Sequence, residues 1–182
     1  MLTIHTADQL LRGDGEPPLP SGAVLVDGRA IAAVGAYEEL TAAHPTARVR
    51  RWPGVITPGL LNPHGQELLE QTYHPDPRED LGSEPLTGEA LSALDMTEAR
   101  WGASARRGVQ RLLAQGTVAV TGPLRRPTVI DAVHRSGLRI QDGPTGAVLP
   151  ALVPGADATF AIFAAPECVA TVIKGRLLHR RR

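Results

Sequence analysis

Cysteine is nearly missing from this 182-residue chain: Cys168 stands alone, which excludes an intramolecular disulfide framework and any cysteine-rich metal cluster. Aromatic side chains are almost as scarce, two each of Trp, Tyr and Phe, and they are too scattered to make a stacking platform for single-stranded nucleic acid. No run reaches the roughly 18 apolar residues that a membrane span needs, and the opening MLTIHTADQLLRGDG lacks the basic stretch and apolar core of a secretion signal. An excess of one charge is missing too. Nineteen basic residues balance nineteen acidic ones, so no global field favours nucleic acid or an anionic membrane, and the basic tail HRRR reads as a solvated end. There is no Gly-x-Ser-x-Gly elbow, and the glycines of LAQGTVAVTGP are not followed by the lysine and serine of a phosphate-cradling loop. A cytoplasmic, globular protein without nucleic-acid or membrane partners is the expectation, and 42% hydrophobic content suffices for a core.

What is present divides by character. The first 57 residues read as short strands between turns. In AVLVDGRAIAAVG, apolar runs flank Asp27-Gly28, a hairpin signal that predicts an antiparallel pair of Ala23–Val26 with Arg29–Val34 and a type I′ turn at Asp27-Gly28. AYEELTAAHP predicts a short helix stopping before Pro45, and ARVRRW and GVIT predict strands. In the middle, apolar residues recur at helical spacing through Leu91, Leu94, Trp101, Val109, Leu112 and Leu113. This predicts one long helix over 86–115, broken near Gly102 and closed by Gly116, with Trp101 in the core. TVAVTG is short and β-branched, as a strand covered on both faces would be. RPTVIDAVHRSG predicts a helix opened by Pro127 and closed by Gly137, and LRI a further strand. QDGPTGAVLPALVPG, residues 141–155, reads as a Gly/Pro-rich connection, after which ADATFAIFA and ECVATVIKGRLLHR return to β character with a turn at Lys174-Gly175. Cys168 reads as a buried strand residue, and His5, His44 and His179 read as surface residues.

Four segments, DGRAIAAVG, ITPGLLNPHGQ, LVPGADATFAIF and TVIKGRLLHR, stand in an order that resembles the amidohydrolase superfamily, in particular its imidazolonepropionase-like and cytosine-deaminase-like members. The resemblance implies a mixed α+β fold: a composite β-sandwich from residues 1–57 and 154–182, beside a βα remnant over 58–153. A full (β/α)₈ barrel takes about 200 residues or more, so only its first part is implied, a partial TIM barrel. It also implies a metal-binding His-x-His at 64–66 on a strand, where two side chains at i and i+2 grip one ion. Here Gln66 replaces the second histidine, and a neutral amide is a poor zinc ligand.

His64 therefore reads as a ligand only if other groups rebuild the site. The weak candidates are Glu67, Glu70, His74 and Asp76 just downstream, Asp131 and His134 one helical turn apart, and Asp142. The leading expectation is a non-catalytic relative acting by binding or assembly, with no catalytic residue, metal or cofactor. The alternative is a small zinc hydrolase or deaminase acting on non-peptide carbon–nitrogen bonds, its site completed across a dimer. A truncated barrel leaves a sheet edge and an apolar face around TVAVTG, so a homodimer, or another protein covering the sheet, is expected as well, unless the helix over 86–115 seals it within the chain.

Overall fold

Two periodicities, two-residue alternation near the chain ends and helical spacing in the middle, become two kinds of structure in the computed structural model, which describes residues 1–13, 15–141 and 149–181. In chain order the elements are β1 (Leu2–Thr6), β2 (Gln9–Leu10), β3 (Leu19–Pro20), β4 (Gly22–Asp27), β5 (Ala30–Ala36), α1 (Tyr37–Ala43), β6 (Arg48–Arg51), β7 (Val55–Thr57) and β8 (Leu60–Asn62). They continue with α2 (Gly65–Glu70), α3 (Gly88–Ser92), α4 (Glu98–Ala114), β9 (Thr117–Thr121), α5 (Pro127–Ser136), β10 (Arg139–Gln141), β11 (Phe160–Ala164), β12 (Glu167–Ile173) and β13 (Arg176–Arg180). The chain divides into two compact units. One takes Met1–Leu60, Leu113–Val118 and the described residues from 149 onward; the other takes Leu61–Leu112 and the described residues from 119 to 141.

The first unit is the composite sandwich. A four-stranded sheet has the order β5-β4-β1-β6, and a six-stranded sheet has the order β13-β12-β11-β7-β2-β3. The second sheet unites the two ends of the sequence, because β11 runs antiparallel to β7 with Ile162 opposite Ile56. Alternation along β4 shows how the layers are filled. Val24 and Val26 pack with Ile56, Phe160, Ile162 and Val172 of the other sheet, while Ala23 and Leu25 turn the opposite way to Ile4 and to Leu40 on α1. Both faces of β4 are thus covered, which is why five consecutive residues of it are buried.

Two details of this unit differ from expectation. The hairpin of β4 and β5 forms, but Asp27 pairs with Ala30, so the turn is centred on Gly28-Arg29. Of these only Gly28 has positive φ, the φ pattern of a type II′ turn and not of the expected I′. The I′ φ pattern occurs instead in the hairpin of β12 and β13. There Ile173 pairs with Arg176, and both Lys174 (φ 49°) and Gly175 (φ 74°) are left-handed. Secondly, His5 is no surface residue: it is 2% exposed. It lies on the inner face of β1, edge-on to Phe160 with ring centroids 5.1 Å apart and stacked on Trp52 at 6.1 Å. His44 and His179 are half-buried, and Cys168 is buried in β12.

In the second unit, helix and strand alternate. A short sheet has the order β10-β9-β8, and β10 runs parallel to β9, with α5 making the crossover between them. The long helix is broken, though not at Gly102. It ends after α3 and restarts at α4, because Thr97 Oγ1 accepts the Arg100 N–H at 3.2 Å as an N-cap would. Gly102 stays helical and serves close packing: a Cβ there would stand 3.3 Å from Cβ of Thr128 on α5. Trp101 is buried. The strand β9, whose faces were expected to need an outside cover, is buried at all five residues within the single chain.

Candidate functional site

The site worth testing is the stretch after β8, where the resemblance places metal ligands. Asn62 Oδ1 accepts the His64 N–H at 2.9 Å, turning the chain out of the strand, and α2 begins at Gly65. The helix starts hard against the end of β9, since a Cβ on residue 65 would sit 2.5 Å from the Thr121 carbonyl oxygen. The expected strand geometry is therefore absent. Residues two apart at a helix start point about 200° apart, so positions 64 and 66 do not share a face. Gln66 turns away and its Nε2 donates to the Pro123 carbonyl at 3.2 Å, whereas His64 is exposed with Nδ1 3.2 Å from Glu67 Oε2.

The other candidates scatter into separate structural roles. Glu70 is buried, and its Oε1 accepts the backbone N–H groups of Arg125 and Arg126 at 2.7 and 2.6 Å, holding the chain as it enters α5. His74 is buried too. Its N–H donates to Ser104 Oγ at 2.9 Å, and its Nε2 lies 2.8 Å from the Leu68 carbonyl and acts as the donor, leaving Nδ1 buried without a partner. Burial holds the His74 pKa below the ordinary histidine value, with Arg111 and Arg107 adding to the effect against the Leu68 hydrogen bond. The fit is tight: a Cβ at Gly108 of α4 would stand 2.7 Å from that Nε2. Asp131 forms an exposed ion pair with Arg135 at 3.0 Å, and His134 is exposed on the same helix. Asp142 lies outside the described residues.

Asp76 belongs to a clamp that periodicity alone does not reveal. Arg107 on α4 reaches Asp76 Oδ2 at 3.5 Å and donates to the His74 carbonyl at 2.7 Å. Arg100 reaches Glu79 Oε1 at 3.0 Å and lies over the Tyr73 ring at 4.9 Å, while the Tyr73 hydroxyl donates to Glu79 Oε2 at 2.5 Å. Burial raises the Tyr73 pKa and the bond to Glu79 adds to this; that hydrogen bond in turn holds the Glu79 carboxyl low. The signal available in sequence was the pair of arginines seven apart on one helix face, opposite the acid-rich HPDPRED. Among the described residues, no group of three or more His, Cys, Asp or Glu is placed to hold a metal ion.

Residues 22–47, the β4–β5 hairpin and α1, match the family model for the imidazolonepropionase-like composite domain of bacteria. In this stretch the chain is similar to that composite domain. Solved structures agree at the level of fold: ochratoxinase from A. niger superposes with a TM-score of 0.54 at 24% identity, covering 78% of this chain and 31% of that one. Aminofutalosine deaminase from Helicobacter pylori gives 0.51 at 14% identity, covering 81% and 36%, and a zinc-bound adenosine deaminase from Xanthomonas campestris gives 0.51 at 16%, covering 76% and 32%. The chain thus spans about a third of the length of these structures. No curated protein matches it by sequence. Among the described residues, no helix is long and apolar enough to cross a membrane.

Proposed function

We propose that this chain acts by binding or assembly and is not itself a metal-dependent hydrolase, a pseudoenzyme in a cytoplasmic setting. The observation that carries the reading is Gln66. Its amide nitrogen is engaged with the Pro123 carbonyl on the far side of α2 from an exposed His64, so the residues present do not fit zinc, which takes imidazole, thiolate or carboxylate in a converging set. Metal analysis after zinc loading and dialysis tests it. Zinc well below one equivalent is expected, unchanged by His64→Ala, and Gln66→His alone restores neither binding nor hydrolysis. One zinc per chain, lost on His64→Ala, would overturn the proposal.

One observation favours a second reading. His64 and Glu67 offer an imidazole and a carboxylate 3.2 Å apart and open to solvent, two groups that ligands from another copy could complement. In that case a zinc hydrolase acting on non-peptide carbon–nitrogen bonds would assemble across a dimer, and zinc would shift the chain from monomer to dimer in light scattering. Self-association without metal belongs to the first reading. Both β8 and β10 are outer strands of their short sheet, so Ile140→Lys on β10 is expected to lower the mass of any oligomer.

A further inference from the structure

Away from the His64 region, in the composite sandwich, β6 is the outer strand of its sheet, paired among the described residues on one side only, with β1. The Trp52 N–H bonds to the Thr6 carbonyl at 2.9 Å, so by alternation the backbone groups of Arg48, Arg50 and Trp52 face β1, and those of Val49 and Arg51 face outward. Side chains follow the same period on the other axis. Arg48 and Arg50 stand opposite Thr3 and His5, on the inner face that His5 shares with Phe160. There Trp52 stacks on His5, and Arg180, from the outer strand of the second sheet, lies with its guanidinium carbon 5.6 Å from the Trp52 ring.

Arg180 thus lies over Trp52, and by strand alternation Arg48 and Arg50 stand on the same face of β6 as that ring. Arg100, Arg107, Arg126, Arg135 and Arg181 each reach a carboxylate, but among the described residues none does so for Arg48, Arg50 or Arg180. The neighbouring His5 offers no counter-charge. Burial, then Arg48 and Arg180, hold the Arg50 pKa below the ordinary arginine value, so the cluster is short of negative charge. A single inward charge suffices to blunt a sheet edge against stray pairing. Three, one of them delivered by a different sheet, exceed that need.

We propose that the open edge of β6 docks an extended acidic protein segment, which adds as a further strand to the outward backbone groups of Val49 and Arg51 and sets its carboxylates against Arg48, Arg50 and Arg180. Backbone pairing supplies the register and the guanidinium groups supply the selection for acid at alternate positions. The surface lies in a different unit from His64, so this proposal stands whether or not that position carries out chemistry.

Fluorescence anisotropy on the full chain tests it with a labelled peptide of alternating glutamate and valine. A second peptide carries proline in place of each valine, keeping the charge but lacking backbone donors, and inorganic pyrophosphate serves as a free competitor. The alternating peptide is expected to bind at least about tenfold tighter than the proline peptide. That preference is lost in Val49→Pro, whose N–H points away from β1 so that the fold is retained, and binding is lost in Arg50→Glu and weakened in Arg180→Glu. Circular dichroism checks the fold of each variant. Equal binding of both peptides, displaced equally by pyrophosphate, would show a plain anion patch and overturn strand docking. So would no binding at all.

Discussion

The composite sandwich and the βα unit solve the same problem with different materials. In the sandwich, segments from both ends of the chain meet in one sheet, and order comes from backbone ladders and an apolar interior in which Phe160, Ile56, Ile162 and Val172 are fully buried. In the βα unit, residues 71–87 contain no helix or extended strand and are held by polar side chains: Tyr73, Glu79 and Asp76 against Arg100 and Arg107, with His74 set over Gly108. Alternating apolar residues from both chain ends fill the sandwich interior. In the βα unit Glu70, His74, Asp76 and Glu79 are engaged in holding the chain together, whereas His64, Glu67 and His134 are exposed.

Trp52 lies in one unit and Trp101 in the other, so single-tryptophan backgrounds allow urea unfolding of each to be followed separately. The sharpest break of the comparison is Phe160→Ala, which removes a fully buried ring between the two sheets and is expected to cost about 3–5 kcal/mol in the sandwich. A loss below about 1 kcal/mol would mean that the sandwich core is not what holds the termini together.

A second test turns on His5, whose pKa burial, aided by Arg50, lowers to about 3. A histidine depressed in the folded state contributes stability that is fully present above its unfolded pKa near 6.5 and is lost as pH falls from there toward about 3. At about 1.4 kcal/mol per pH unit, the chain is expected to lose about 2–3 kcal/mol by roughly pH 4.5 relative to His5→Phe. Parallel pH curves for the two proteins would contradict the burial of a neutral imidazole.

Smaller effects are expected in the βα unit, where single polar contacts are being removed. Glu70→Gln keeps an acceptor for the Arg125 and Arg126 N–H groups but discards the charge, and should lower the Trp101-reported stability by about 1–2 kcal/mol. Tyr73→Phe removes the bond to Glu79 while keeping the ring under Arg100, for a loss of about 0.5–1 kcal/mol. Hydrogen exchange in residues 71–87 should rise in both variants and stay unchanged in the sandwich. Exchange rising equally in both units would erase the distinction drawn between them.

Much of the architecture was legible beforehand. The β4–β5 pairing, α1, β9, the closure of α4 at Gly116 and of α5 at Gly137 all follow from local signals, while the mixed class with a partial barrel is what the family resemblance implies. The site was less so. That Gln66 stands where a histidine is expected is plain from the letters; that α2 begins at Gly65 and swings residues 64 and 66 apart is not, because a short helix of Gly, Gln, Glu and Leu has no periodicity to distinguish it from a strand end. The break before α4 was misplaced for a similar reason: a glycine in a helical pattern is a weak stop, and Thr97 as a cap was the stronger signal.

By itself, the sequence determined which stretches alternate, which turn and which coil, since these depend on neighbours a few residues away. Tertiary structure alone decided that His5 is buried, that Gly28-Arg29 and not Asp27-Gly28 is the turn, and that Arg48, Arg50 and Arg180 stand together. Each of these outcomes depends on which strand lies opposite which. That choice is made by long-range pairings such as β1 with β6 and β7 with β11, whose free energy belongs to two distant segments jointly and is written in neither one alone.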